Sequence, residues 1–144
     1  MRERMISQRD DLAEKIYAIS VLQQNFVIEQ LKTLHLNGLQ SRSLSFIAEH
    51  SGTMQRDLAN YLGKQQATVT NILKVLEERE LIYRKIPKNN ERQKNIYLTT
   101  EGEEMVKKVQ AIFQELGKHI ESAFSPEEQQ QFTELLKRAE EQLT

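Results

Sequence analysis

Between Gln65 and Lys74 the chain reads QQATVTNILK, a run rich in side chains that can read the edge of a base pair. Gln66 and Asn71 can each make paired hydrogen bonds to adenine, and the methyls of Ala67 and Thr70 can touch the thymine methyl. As a helix starting near Gln65, the run places Val69, Ile72, Leu73 and Leu76 on one face. Ala67, Thr70, Asn71, Lys74 and Glu78 lie on the other, with Gln66 at the edge, where the helix N-terminus favours a phosphate. For an isolated helix, a solvated surface would be the better reading of this face. The next segment weighs against that: Leu81–Ile86 and Asn95–Thr99 are β-prone runs flanking a polar loop with Pro87, Asn89 and Asn90, which reads as a hairpin. It carries Arg84, Lys85, Lys88, Arg92 and Lys94 against Glu91, a net charge of +4. Such a wing suits phosphates or a narrow minor groove, where arginine is favoured.

The elements that position these residues are also legible. In Gln55–Lys74, Ala59 is small enough for two helices to cross, Gly63 suits the turn, and Leu58, Leu62, Val69 and Ile72 hold the helices together. Lys64 stands where the turn would favour an apolar residue. A helix-turn-helix followed by a basic hairpin is a winged helix.

On either side run longer helices. The first is expected from about Asp10 to Leu36, with Leu12, Ile16, Ile19, Phe26 and Leu34 at helical steps and Asn37-Gly38 as its stop. At 1.5 Å per residue it spans about 40 Å. A shorter helix from near Ser41 turns Leu44, Ile47 and Ala48 inward and ends at Ser51-Gly52. Another long helix opens at Thr100 or Glu101, with Met105, Val109, Ile112, Leu116 and Ile120 on one face beside Val106 and Phe113. Ser125-Pro126-Glu127-Glu128 has the form of a capping box, and the last helix is expected to bury Phe132, Leu135, Leu136, Ala139 and Leu143. The fold class is mainly α with a small β-hairpin wing. A winged helix-turn-helix unit at 39–100 (recognition helix about 65–79, wing about 81–98) joins a helical dimerisation unit of 1–38 and 101–144.

Charge follows the same division. The 144 residues hold 20 Lys plus Arg and 21 Asp plus Glu. Residues 1–52 have six of each sign, residues 53–100 nine basic against five acidic, and residues 101–144 five basic against ten acidic. The positive excess is confined to the winged unit.

Other chemistries find little support. The chain has no cysteine, which removes disulfides, thiolate metal sites and thiol redox sensing. His35, His50 and His119 have no two-ligand helical spacing, so no metal site is assigned. No Gly-rich phosphate loop or nucleophile motif is present, and neither enzymatic activity nor a cofactor is expected. The longest uncharged run, Ile16–Ile28, contains Gln23, Gln24 and Asn25, so no membrane partner is expected and the protein is read as cytoplasmic.

The run LGKQQATVTNILKVLEERELIYRKIPKNNERQKNIYLTTEG resembles the MarR family of bacterial winged-helix transcriptional regulators, and the likeness in length and helix order extends over nearly the whole chain. Ala67-Thr68-Val69-Thr70-Asn71 matches the family's recognition-helix start, and Leu98-Thr99 through Gly102 its Leu-Thr-x-x-Gly. Asn90-Glu91-Arg92 falls on its Asp-x-Arg wing motif, with Asn90 replacing the Asp. Glu80 stands where the family often has Gly. The resemblance implies a homodimer built through the first and last two helices and bound to a pseudo-palindromic operator in double-stranded DNA. It also implies a repressor released by a small-molecule effector. The expected DNA contacts are Gln65, Gln66, Ala67, Thr68, Thr70, Asn71 and Lys74 on the helix, with Arg84, Lys85, Lys88, Arg92 and Lys94 on the wing. Tyr17, Phe46 and the histidines are open between a ligand cleft and core packing, and no ligand residue is assigned. A winged-helix module used for protein–protein contact is the competing reading.

The apolar stripes of the terminal helices exceed what one short chain can cover. Sedimentation or light scattering at micromolar concentration is therefore expected to give a dimer; a monomer would overturn that expectation.

Overall fold

The computed structural model describes residues 10–88 and 93–144. Six helices and three short strands follow one another as α1 (Leu12–Thr33), α2 (Gly38–Glu49), β1 (Thr53–Met54), α3 (Gln55–Leu62), α4 (Gln66–Glu78), β2 (Ile82–Lys85), β3 (Asn95–Leu98), α5 (Thr100–Glu121) and α6 (Pro126–Glu141). The expected helices and hairpin are all present, in the expected order.

The caps define the helix starts. Asp11 accepts from the Glu14 N–H at 2.9 Å. At Ser125 the predicted capping box forms: Glu128 N–H donates to Ser125 Oγ at 3.2 Å, and Ser125 N–H donates to Glu128 Oε1 at 2.9 Å. One cap corrects the sequence reading. Asn37-Gly38 starts α2 instead of stopping α1, because Gln40 three residues on completes a second capping box, with Gln40 N–H donating to Asn37 Oδ1 at 2.8 Å. The helix therefore begins at Gly38 and not at Ser41.

Three helix ends share one geometry. α1, α3 and α4 are followed by His35 (φ 57°), Gly63 (φ 66°) and Glu80 (φ 60°), all in the left-handed region. In each, the next residue's N–H reaches back to the last turn: Leu36 to Leu31 O, Lys64 to Ala59 O, Leu81 to Leu76 O. Such a closure takes an apolar residue after the left-handed one. Leu36 and Leu81 are buried there, whereas Lys64 is exposed at the turn where the sequence reading found it unusual. Only one of the three left-handed positions is glycine.

The core gathers Leu31, Leu44, Ile47, Leu58, Leu73, Leu76, Ile96 and Val109 from six elements. Val69, Ile72, Leu73 and Leu76 all face inward as their spacing predicted. Ala48 does not: it is exposed at the end of α2. The sheet has one strand more than the hairpin expected, since β1 pairs antiparallel with β3, giving the order β1-β3-β2. A two-residue strand has no periodicity of its own and exists only through that pairing.

Gly102, in the first turn of α5, lies so close to the Leu81 carbonyl that a Cβ would fall on it. Thr99 caps the same helix, accepting from Gly102 N–H at 3.0 Å while its hydroxyl donates to Glu80 O at 2.6 Å. The exit of the recognition helix and the entry of α5 are thereby closed on one another.

The terminal helices leave much apolar surface open. α6 has no buried residue in the single chain, which departs from the expected burial of Phe132, Leu135, Leu136, Ala139 and Leu143. Phe132 is half-buried, while Leu135 stays 56% exposed. Leu12 (83%), Tyr17 (65%), Leu22, Phe113 and Ile120 are also open. A cleft of about 650 Å³ lies between α1 and α6, lined by Leu12, Ile16, Ile19, Phe132, Leu135 and Leu136.

Gly102→Ala is expected to lower unfolding free energy by about 1–3 kcal/mol, since the methyl must displace backbone. Glu80→Gly is expected to raise it by roughly 0.5–1 kcal/mol, as relief of left-handed strain exceeds glycine's added unfolded-state entropy. Denaturant melts of both variants check the two signs.

Candidate nucleic-acid interface

The recognition helix α4 is held by its inner face, where Val69, Leu73 and Leu76 are fully buried. Its outer face presents Gln66, Ala67, Thr70, Asn71 and Lys74 to solvent, and Thr68 is half-buried beside the inner face. Gln65 occupies the cap position with extended backbone and no capping bond from its side chain. The first amides of α4 are thus left by their cap residue to meet water or an anion.

The outer face is braced by a residue from the preceding helix. Gln55 Nε2, at the start of α3, donates to Thr70 Oγ1 at 2.8 Å and to the Gln66 carbonyl at 3.3 Å. Thr70 Oγ1 in turn donates to Gln66 O at 2.9 Å. The hydroxyl of Thr70 is therefore engaged within the protein, and its methyl is the part left for a ligand. Gln55 escaped the sequence reading because it meets Thr70 fifteen residues away, across the turn at Gly63.

The pleat divides the wing's basic residues between two faces. β2 pairs with β3 in the register Ile82↔Leu98, Tyr83↔Tyr97, Arg84↔Ile96 and Lys85↔Asn95. On one face Arg84, Ile86 and Lys94 join Thr70, Lys74 and Glu77 of α4 around a groove of about 350 Å³. Arg84 Nε lies 3.8 Å from Glu77 Oε2, is buried, and makes no hydrogen bond. Lys74 and Lys94 are exposed at this groove. On the other face Tyr83 and Tyr97 stack across the strands with centroids 5.4 Å apart, and Lys85 Nζ sits 5.8 and 5.6 Å from the two rings. Lys85 thus points away from the recognition helix. Lys88 is exposed beyond β2, and Asn90, Glu91 and Arg92 lie outside the described residues.

Arg79 is the C-cap of α4, and nothing in the local sequence marks it beyond its charge. Its guanidinium donates through Nη1 to His35 O at 2.6 Å and through Nη2 to Leu34 O at 3.1 Å. Both acceptors belong to the end of α1, more than forty residues away, which no local pattern reveals.

The remaining aromatics and histidines have separate partners. Phe46 stacks between His50 (4.4 Å) and Tyr61 (4.6 Å), with Arg42 5.2 Å over Tyr61. Phe26 meets His119 edge-on at 5.8 Å, and Tyr17 is exposed on α1. The histidines do not converge. Among the described residues no group of three His, Asp or Glu could hold a metal ion, and no helix is long and apolar enough to cross a membrane.

Known proteins show the same arrangement. A model of the MarR family matches residues 36–94, from the start of α2 to the edge of β3. The homoprotocatechuate degradative operon repressor of Escherichia coli is 32% identical over 106 residues, covering 74% of this chain and 72% of that protein. Among solved structures, the complex of Staphylococcus aureus MepR with DNA superposes with a TM-score of 0.74 at 29% identity, covering 93% of this chain and 99% of that one. MepR bound to ethidium bromide gives 0.70 at 29% identity, covering 96% and 100%.

Proposed function

The chain belongs to the MarR family of winged-helix transcriptional regulators, and on that premise we propose that it is a dimeric, sequence-specific DNA-binding repressor released by a small molecule. The observation that carries the reading is the shared orientation of two surfaces: the polar outer face of α4 and the groove lined by Lys74, Arg84 and Lys94 open side by side.

In this reading α4 enters the major groove. Gln66 and Asn71 read base edges, the methyls of Ala67 and Thr70 meet thymine methyls, and Gln65 and Thr68 stand at the helix entry beside a phosphate. Lys74 and Lys94 flank the backbone at the wing groove. Arg84, paired with Glu77, shapes that groove and adds positive charge behind it. Lys88 is exposed beyond β2 and meets phosphate, and the family's wing motif assigns Arg92 the minor-groove contact. Lys85, engaged with the tyrosine pair on the far face, acts through its field and not by contact.

Residues 39–100 form the DNA-binding unit, and residues 1–38 with 101–144 the dimerisation unit. The exposed apolar faces of α1, α5 and α6 are what a second copy covers. Two recognition helices then address half-sites about 34–36 Å apart on a pseudo-palindromic operator. The ten acidic side chains of residues 101–144 sit on the dimerisation side, away from the polyanion. The protein works by binding, without turnover, in the cytoplasm where its operator is. Support for an effector is the ethidium complex of MepR.

Titrating the protein on duplex DNA from upstream of its own gene at several salt concentrations tests this. Binding is expected to weaken steeply with salt. Lys88→Gln, Lys94→Gln and Arg92→Gln should each reduce the salt slope by about one, and Lys85→Gln by clearly less. Asn71→Ala or Gln66→Ala should relax sequence preference at a cost of roughly 1–3 kcal/mol. Wild-type protein with no salt-dependent duplex binding would overturn the reading and favour a protein-contact module.

A further inference from the structure

We propose that Arg79 is a positioning residue that locks the recognition helix to the end of α1, so that the orientation of α4 follows that helix. The inference builds on the DNA-binding reading above for its consequence, but the lock itself rests on the geometry alone.

α1 is capped at Leu34, and His35 takes the left-handed conformation that lets Leu36 N–H reach back to Leu31 O and His35 N–H to Lys32 O. This closure uses the carbonyls of Leu31 and Lys32. It leaves those of Leu34 and His35 pointing onward at the negative end of the helix dipole. Both receive the two arms of the Arg79 guanidinium, at 3.1 and 2.6 Å. A fork with two donors on one rigid plane fixes direction as well as distance, which a lysine ammonium cannot.

Arg79 closes α4 itself, one residue before left-handed Glu80, whose carbonyl takes the Thr99 hydroxyl that caps α5. The C-terminus of α4 is therefore tied to both long helices of the dimerisation unit. To α5 it is joined through backbone so close that only Gly102 fits; to α1, beyond the shared apolar core, the hydrogen bonds among the described residues run through the Arg79 side chain. The α1 tie is the adjustable one. A shift at the end of α1 reaches the reading face through Arg79, and loss of the fork frees α4 from α1 without touching the residues proposed to contact DNA.

The chain has no cysteine, so spin labels can be placed without removing native ones. Asn25→Cys on α1 and Lys74→Cys on α4, labelled and mixed with excess unlabelled wild-type chain, report the distance within one protomer whatever the oligomeric state. In the Arg79→Met background the distance distribution is expected to broaden at least twofold, with helicity retained. Arg79→Lys, which reaches one carbonyl at a time, should fall between. An unchanged width in Arg79→Met overturns the proposal. Should that variant fail to fold, Arg79→Lys decides, and a width equal to wild type overturns it. On operator DNA, unlabelled Arg79→Met should bind at least tenfold more weakly than wild type. If wild type binds no duplex, the DNA-binding reading fails while the width measurement still decides the lock.

Discussion

The contact between Gly102 and the Leu81 carbonyl sets the geometry of everything around it. Leu81 is the point at which the recognition helix has ended and the wing has begun, and Gly102 belongs to the first turn of α5. Thr99 binds the two sides, its N–H donating to Leu81 O at 3.0 Å and its hydroxyl to Glu80 O. A helix can approach a backbone carbonyl this closely only where no Cβ intervenes. The wing strands, which leave and return within this junction, inherit their placement from it. So does α4, whose last turn is closed by the Leu81 N–H. The end of α4 and the first turn of α5 therefore share one rigid corner, set by backbone.

The recognition surface combines rigid and adaptable parts. Its inner residues are immobilised by burial, and Gln55 ties the Gln66 carbonyl and the Thr70 hydroxyl. A hydroxyl already donating and accepting inside the protein has little left for a base, so on the proposed reading Thr70 offers its methyl and Asn71 and Gln66 are the polar readers. The wing is stiffened by the stacked tyrosines and the lysine above them. That use of Lys85 leaves Lys74 of α4 and Lys94 of the wing as exposed cations at the groove.

Most of the fold was legible because the signals are local. The inner face of α4, the turn at Gly63 and the capping box at Ser125 need only neighbours within four residues. The failures are the places where local chemistry is ambiguous or absent. Asn37-Gly38 can stop one helix or start another, and Gln40 decides for the start. Nothing about a histidine or a glutamate announces the left-handed backbone that His35 and Glu80 adopt. β1 exists only through Ile96 and Asn95, more than forty residues on. The apolar stripe of α6 was correctly seen, but no residue of α6 is buried in the single chain. At the interface the polar outer face of α4 was visible in the helical period, whereas Gln55 and Arg79 act across long separations that no period encodes. The division of the wing cations was in principle readable from strand alternation, once the register that pairs Tyr83 with Tyr97 was known.

In the proposed dimer, the open apolar faces of α1 and α6 also tie the behaviour of the protein to its abundance. When two copies must meet before either covers that surface, the population of the paired form rises as the square of chain concentration in the dilute regime. Each copy alone carries half of a reading device and an uncovered hydrophobic flank. Occupancy of a two-part operator then changes more steeply with gene dosage than binding by independent single chains would. In the proposed dimer that steepness depends on the surface between α1 and α6 that one copy leaves open.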